Sequence, residues 1–325
     1  MTCVEWTHPS TVAQAIEALA DGHGQAVAGG TTLLDLLKLG HETPKRYVDL
    51  GRLPLRDIAV TQNSVSIGAL ASNSQVANSE LLRTEFAAIS ESILAGASQQ
   101  IRNAATVAGN IMQATRCPYF RTVDWACNKR QPGSGCEALR AAGPGHAILG
   151  TSNHCIAVHP SDFAVALLAF DAIVHIQTPS GRTSLPLAEF YLLPGETPQR
   201  ENRLPPASLI VALEIPRKME ARRSAYLKLR GRASYEFAAA SVAAVLTFKE
   251  SRVAKVSMAL GGVATAPWRK PEAEALLIGK QLDRDSIDRF CDELLADART
   301  LPETAHKLPL VRGAIHHVLA RLAEQ

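Results

Sequence analysis

Two glycine turns and a group of four cysteines are the residues of this sequence best suited to hold a ligand. The first turn, residues 28–33, places two glycines and two threonines directly after an apolar run. Adjacent glycines let the backbone approach a ligand closely, and the amides that open a following helix attract an anion. The turn predicts a phosphate site, although a strand-to-helix bend with a threonine cap would use the same residues.

The second turn, residues 104–111, again combines small residues with a hydroxyl and an amide, at Thr106, Gly109 and Asn110. Two such turns could bind the two ends of a pyrophosphate. The sequence has no G-x-G-x-x-G motif, so it gives no support to dinucleotide binding of the Rossmann type. Taken by itself, this turn would equally form a plain left-handed bend.

Four of the six cysteines, Cys117, Cys127, Cys136 and Cys155, follow a C-x9-C-x8-C-x18-C spacing. Four thiolates can hold a 4Fe-4S cluster, and such a site can order a segment that lacks its own core. The same spacing permits two disulfides, or a zinc site that uses three or four of these thiolates, in the first case with His146, His154 or His159. Unrelated buried thiols are a further explanation, so the spacing leaves the chemistry open.

Two later residues also suit a cofactor site. Asp162 opens a predicted helix, where a carboxylate is normally a cap but could bind a ribose hydroxyl. Lys228 alternates with apolar residues on a predicted strand. Such a lysine is commonly a surface residue, whereas a cation beside a redox-active ring would stabilise its reduced anion.

Composition limits the class of protein. A chain of 325 residues is too long for one ordinary core and predicts two domains, and its 46% hydrophobic and 5% aromatic content suits helices packed on sheets. The net charge of +3 is far below that of a nucleic-acid binder. We find no apolar run long enough to cross a bilayer, and the N-terminal residues lack the basic and apolar regions of a signal peptide. We therefore expect no membrane insertion.

Periodicity predicts the elements that position these residues. In the first half we expect helices at 11–20, 80–97 and 162–169, and strands at 25–28, 46–50, 58–60, 65–70, 172–177, 183–187 and 209–215. The first seventy residues then form a β-α-β unit with an appended hairpin. Residues 96–159 lack periodicity and are too long for an ordinary connection, so something must hold them.

The second half predicts a separate unit. After a seam at residues 216–220 we expect strands at 225–230, 241–248 and 253–260, followed by helices at 271–278, 286–296 and 311–323. An antiparallel sheet followed by helices indicates an α+β fold.

These motifs together resemble the FAD-binding subunits of the xanthine dehydrogenase and carbon monoxide dehydrogenase family, the molybdenum hydroxylases. The first turn matches the family's A-G-G-T-x-L element, and residues 159–162 match its later aspartate element. The second turn matches T-V-G-G-N-I, with Ala108 in place of the first glycine. The cysteine-bearing insertion is most similar to that of the periplasmic aldehyde oxidoreductase flavoprotein subunits, whose cysteines hold a 4Fe-4S cluster.

The resemblance implies an α+β protein with a vanillyl-alcohol-oxidase (PCMH) type FAD-binding domain at 1–218. A 4Fe-4S insertion would span about 112–158, and a CO dehydrogenase flavoprotein-like C-terminal domain 222–325. The FAD would contact Asp162 at its adenosine end and Lys228 near its isoalloxazine. The remaining contacts implied for FAD are Gln25, Ala26, Val27, Ala28, Gly29, Gly30, Thr31, Thr32, Leu33, Thr106, Gly109, Asn110 and Ile210. The implied cluster ligands are Cys117, Cys127, Cys136 and Cys155.

The resemblance also implies partners. The chain would be the electron-transfer subunit of a heterotrimer with a small 2Fe-2S subunit and a large molybdopterin subunit that oxidises an aldehyde. Export to the periplasm would then depend on a signal carried by a partner, and the complex would otherwise stay in the cytoplasm. The rival hypothesis is a scaffold stapled by zinc or an iron-sulfur cluster, without flavin. A free-standing flavin oxidase is disfavoured because no motif pairs an acid with a base.

Overall fold

The computed structural model describes residues 4–41, 44–217 and 222–324. Its first unit is a three-stranded parallel sheet in the order β1-β3-β2. The sheet consists of β1 (Glu5–Thr7), β2 (Gly24–Val27) and β3 (Arg46–Asp49), with helices α1 (Val12–Leu19) and α2 (Leu33–Lys38) between the strands. Ala15, Ile16 and Leu19 of α1 are buried in the core of this unit. The first glycine turn therefore begins at the carboxyl end of β2.

The second sheet has five antiparallel strands in the order β4-β5-β8-β6-β7. Its strands are β4 (Ile58–Val60), β5 (Ser64–Gly68), β6 (Ile173–Thr178), β7 (Gly181–Pro186) and β8 (Leu209–Pro216). The hairpin expected at 58–70 forms, but it does not extend the first unit. Its strand β5 pairs instead with β8, where Ser66 faces Glu214.

Short helices connect the strands of this sheet along the chain. They are α3 (Asn73–Ala77), α4 (Glu80–Glu85), α5 (Ala87–Leu94), α6 (Gln99–Ala104), α7 (Val107–Ile111), α8 (Pro118–Arg121), α9 (Asp162–Ala169) and α10 (Leu187–Phe190). The single helix predicted at 80–97 is wrong. Phe86 has φ −135° and ψ 48°, which separates α4 from α5. Its fully buried ring packs 5.2 Å from that of Phe170, so core packing outweighs helical periodicity at this point.

The C-terminal unit has the predicted α+β order. Its antiparallel sheet, β11-β10-β9, contains β9 (Arg223–Leu229), β10 (Ala240–Lys249) and β11 (Arg252–Gly261). The helices are α11 (Pro271–Glu274), which is shorter than predicted, α12 (Arg284–Leu294) and α13 (Lys307–Glu324). The seam predicted at 216–220 and the domain boundary at 218–222 fall largely on residues 218–221, outside the described part of the chain.

Both faces of the C-terminal sheet are covered. Val242 and Ala244 of β10 belong to the core shared with α12 and α13. Ala243 and Val245, which point to the other face, belong to the core that includes α5 and α9. This second core joins the two units, with β9 packed on α5 and with β10 and β11 packed on α9.

The cysteine-bearing residues 112–158 have little regular structure, as their sequence predicts. Within them lie α8 and a 3-10 turn, Glu137–Leu139. Isolated bridges pair Cys127 with Cys136 and Ser152 with Cys155. No helix in the described part of the chain combines the length and apolar character needed to cross a membrane.

Lys307, at the start of α13, is fully buried and donates a hydrogen bond from Nζ to the Gly262 carbonyl. Burial lowers its pKa from 10.5 to about 8. Above pH 8 the unfolded chain therefore binds more protons at Lys307 than the folded chain does. The free energy of unfolding consequently rises as the pH rises. Relative to Lys307→Met, wild type should gain about 2 kcal/mol of unfolding free energy between pH 8 and 10. Urea unfolding at both pH values checks this, and parallel profiles for the two proteins would refute it.

Candidate functional site

The first glycine turn connects β2 to α2 and packs against the end of α6. Gly30 has φ +69°, a conformation that favours glycine. A Cβ on Gly29 would lie 1.9 Å from the Ala104 carbonyl oxygen, so this position has no room for a side chain. Thr32 is the N-cap of α2, yet its side chain makes no capping hydrogen bond. The alternative explanation, a strand-to-helix bend with a threonine cap, requires a capping hydrogen bond that Thr32 does not form.

The second glycine turn is tied to its surroundings by side-chain hydrogen bonds. Thr106 caps α7, and its Oγ1 accepts from the Gly109 N–H at 3.2 Å. Ala108 lies inside α7, so the replacement of the family's glycine needs no unusual backbone angle. Asn110 Oδ1 accepts from Ser161 Oγ at 2.6 Å, and Ser161 caps α9. The turn is thus fixed relative to the helix that begins at Asp162.

Both turns line one cavity of about 370 Å³, here called the turn cavity. This volume lies within the usual range for small-molecule sites. Val27 is buried, with 8% of its surface exposed, and the other predicted residues of its segment reach the wall. The predicted residues that line the cavity are Gln25, Ala26, Ala28, Gly29, Gly30, Thr31, Thr32, Leu33, Thr106, Gly109 and Ile210.

A second cavity of about 410 Å³, here called the ion-pair cavity, shares Thr31, Thr32 and Gly109 with the first. The two spaces therefore meet at the glycine turns, as an elongated ligand with a phosphate group near its middle would require. Asn73 lines the ion-pair cavity. Its Oδ1 is buried without a hydrogen-bond partner among the described residues, and a polar group of a ligand would satisfy it. Sequence reasoning missed Asn73, because only burial distinguishes it.

Asp162 and Lys228 meet in the ion-pair cavity. Lys228 Nζ donates to Asp162 Oδ2 at 2.7 Å, and both side chains are buried. Tyr226 Oη donates to Asp162 Oδ1 at 2.5 Å. Burial and the neighbouring Asp162 charge hold the pKa of Tyr226 well above its ordinary value, so the phenol stays a donor. The carboxylate thus has a charged and a neutral partner.

This contact corrects the sequence-based arrangement. The resemblance implied Asp162 at the adenosine end of FAD and Lys228 at the isoalloxazine end. Two residues in direct contact cannot lie at opposite ends of one FAD, which is an extended molecule. The turn cavity contains Ile210 and the ion-pair cavity contains both charged residues, so Asp162 belongs with Lys228.

The four cysteines of the insertion line a third, small space, here called the cysteine pocket. The five cysteines that the structure describes are all free thiols, so it does not form the two disulfides that the spacing allowed. Burial raises the pKa of Cys155 to about 11 and also raises that of Cys117 and Cys136. Cys127 is buried beside them. Four cysteine side chains gathered in one pocket suit a group that binds sulfur ligands.

The described residues contain no cluster of three or more His, Cys, Asp or Glu arranged to hold a metal ion. This finding disfavours the zinc hypothesis, because zinc requires its ligands to converge on one point. Each cysteine of a 4Fe-4S cluster binds a different iron, so its sulfurs stand farther apart.

Cations around the pocket hold the segment together. Lys129 Nζ binds Glu201 at 2.7 Å and the Pro198 carbonyl at 2.9 Å. Arg130 donates to the carbonyls of Tyr119 and Phe120 at 2.8 and 2.7 Å. These two cations are therefore structural.

Residues 112–158, here called the cysteine segment, also pack on α2, the helix that follows the first glycine turn. Arg116 and Arg121 both bind Asp35 of α2, the first at 2.6 Å. Leu36, also in α2, shares a small core with Phe120 and Cys127. The helix that follows the turn is thus held by the cysteine segment.

Sequence comparison places the chain among known proteins. The family described as "FAD binding domain in molybdopterin dehydrogenase" matches residues 2–218, and "CO dehydrogenase flavoprotein C-terminal domain" matches 224–307. The aldehyde oxidoreductase FAD-binding subunit PaoB of Escherichia coli K12 is 45% identical over 92% of this chain and 91% of PaoB. The carbon monoxide dehydrogenase medium chain of Hydrogenophaga pseudoflava is 24% identical over 90% of this chain and 86% of its own.

Solved structures show the same fold. A chain of the cyanide-inactivated Cu,Mo-CO dehydrogenase superposes with a TM-score of 0.78 at 21% identity, covering 99% of this chain and 98% of the other. Quinoline 2-oxidoreductase from Pseudomonas putida 86 gives 0.75 at 19% identity, with coverages of 99% and 97%. The predicted α+β fold class is confirmed.

The packing of the first glycine turn predicts that a methyl group at Gly29 destabilises the fold more than one at a glycine in open space. Gly29→Ala should cost at least about 2 kcal/mol of unfolding free energy, because its methyl meets the Ala104 backbone. Gly22→Ala is the control, since Gly22 has φ +72° but open space around it, and it should cost only about 1 kcal/mol. Urea denaturation measures both, and a Gly29→Ala variant as stable as wild type would contradict this packing.

Proposed function

This chain belongs to the FAD-binding subunits of the molybdenum hydroxylase family, and on that premise we propose that it passes electrons from partner subunits through FAD to an external acceptor. The partners would be a small 2Fe-2S subunit and a large molybdopterin subunit in a heterotrimer. The substrate oxidised by the complex would be an aldehyde, which the similarity to the aldehyde oxidoreductase subunit PaoB supports.

The observation that carries the flavin assignment is the meeting of two ligand-sized cavities at Thr31, Thr32 and Gly109. We assign the pyrophosphate to this junction, the adenosine end to the turn cavity beside Ile210, and the isoalloxazine to the ion-pair cavity. Asn110 would lie on the isoalloxazine side, and Asn73 Oδ1 would accept a hydrogen bond there. When bound, FAD accepts electrons in pairs and can release them singly.

The chain's own residues would set the environment of the ring. The Lys228 ammonium would favour the more negatively charged, reduced form of the cofactor, and the Asp162 carboxylate would oppose it. Since the two charges form one buried pair, their effects nearly cancel in the wild-type protein. Tyr226 would hold the carboxylate in place through its hydrogen bond.

The ion pair predicts opposite effects of its two members. Lys228→Met should lower the reduction potential of the bound flavin, and Asp162→Asn should raise it. The double variant should return close to wild type, because the net charge is again zero. Anaerobic redox titration against reference dyes measures all three. Lys270→Met is the matched control, since Lys270 pairs with Glu293 in the C-terminal unit. Wild-type potentials in both single variants would place the pair away from the ring.

We assign a 4Fe-4S cluster to Cys117, Cys127, Cys136 and Cys155, with its main role the ordering of residues 96–159. The shared pocket and the free, desolvated thiols support the cluster. The packing of this segment on α2 supports the ordering role, because loss of the cluster would release the helix behind the glycine turn. The rival scaffold without flavin leaves the two larger cavities unexplained.

Replacement of Cys136 by serine tests the ordering role. Cys136→Ser should lose iron, become sensitive to protease between residues 96 and 159, and bind FAD about tenfold more weakly, or about 1.4 kcal/mol. Iron analysis, limited proteolysis and flavin titration measure these effects. Cys291→Ser is the control, because Cys291 is buried in the core of α12 and should leave iron unchanged. If iron is lost while flavin affinity and protease resistance stay at wild-type levels, electron relay becomes the better explanation.

A further inference from the structure

We infer that His146 is a positioning residue of the cysteine pocket, whose Nε2–H donates to the Cys117 thiolate and raises the reduction potential of the cluster held there. The inference rests on the 4Fe-4S assignment and extends it to a residue that tunes the cluster. His146 Nε2 lies 3.5 Å from Cys117 Sγ, and the histidine is 3% exposed. A buried hydrogen bond of this kind acts with little competition from water.

The neighbouring backbone fixes which ring nitrogen carries the proton. The Gly143 amide N–H donates to His146 Nδ1 at 2.8 Å. A backbone amide can only donate, so Nδ1 must hold a lone pair and the ring proton lies on Nε2. The Gly143 carbonyl is also 3.2 Å from Nδ1, but it accepts the backbone N–H of His146 at 3.1 Å. The ring therefore presents a donor to the sulfur.

The ring is also held in orientation. Tyr119 stacks on it at a centroid distance of 6.1 Å and an angle of 10°. The Tyr119 hydroxyl is itself fixed by a 2.6 Å hydrogen bond to the Ala141 carbonyl. Because Tyr119 stacks on the ring and the Gly143 amide binds Nδ1, the Nε2–H group points toward Cys117. Such outer hydrogen bonds are a usual means of adjusting a metal site.

The position of His146 also matters for electron transfer. A cavity of about 480 Å³ is lined by His146 and Cys117 and shares Arg116 and Asp162 with the ion-pair cavity. The hydrogen bond thus lies on the side of the cysteine pocket that faces the proposed flavin ring. A donor to a ligand sulfur withdraws negative charge and favours the reduced cluster, which raises its potential. His146 would thereby bring the cluster closer to the range in which it can accept electrons from flavin.

The test uses the native, cofactor-containing protein. His146→Phe keeps a planar ring but removes the donor, whereas His146→Gln restores an N–H near the sulfur. We expect wild-type iron content in both, a lower cluster potential in His146→Phe, and partial recovery in His146→Gln. The control is His154→Phe, since His154 is exposed yet lines the same pocket. The flavin potential, measured in the same titration, should stay constant.

A second measurement covers the case in which His146→Phe loses its iron. Pulsed electron paramagnetic resonance of the reduced wild-type cluster, with ¹⁵N-labelled histidine, should show coupling to one ring nitrogen that His154→Phe retains. An unchanged cluster potential in His146→Phe, or the absence of that coupling, overturns the inference. A wild-type protein that contains FAD but no iron overturns the cluster assignment itself, and the two failures are thus distinguishable.

Discussion

The contact between Asp35 and two arginines, Arg116 and Arg121, joins the two parts of this protein that bear its chemistry. Asp35 lies in α2, a six-residue helix too short to be stable by itself. Although burial alone would raise the pKa of Asp35, the two guanidinium groups hold it below its usual value, so the carboxylate stays charged. The glycine turn before α2 therefore depends on the segment that carries the cysteines.

A second junction positions the other end of the site. Strand β9 of the C-terminal sheet packs on α5, and β10 and β11 pack on α9. Polar groups fix this contact as well as the shared core. Glu91 of α5 accepts the backbone N–H of Tyr226 at 2.7 Å and also pairs with Arg321 of α13. This docking brings Lys228 to Asp162. The ion-pair cavity thus exists only because the two units pack together.

The sequence predicted those features that follow from local chemistry. Regular apolar spacing located most strands and helices, and small residues beside hydroxyl groups located both turns. It missed the break at Phe86, since ring packing with Phe170 is a tertiary effect. The sequence-based arrangement also placed Asp162 and Lys228 at opposite ends of the cofactor. These residues are 66 positions apart, and nothing in either segment indicates their contact. Burial alone revealed Asn73.

The cysteine spacing allowed a 4Fe-4S cluster, a zinc site or two disulfides. The described cysteines are free thiols, so the two disulfides are excluded. The role of His146 could not be read from spacing, which offered it only as one of three possible zinc ligands. Its tautomer depends on the Gly143 amide, a backbone group that no side-chain pattern reports. Local motifs thus identify the reactive residues, whereas packing decides which of them act together.

The central claim is that the cysteine segment and the flavin cavities form one unit. It is tested most directly by following flavin fluorescence while an iron chelator removes the proposed cluster from the native protein. The account predicts that flavin release accelerates in step with the loss of cluster absorbance, because α2 and the glycine turn lose their support. Complete bleaching of the cluster with flavin release at the rate of the untreated protein would contradict it.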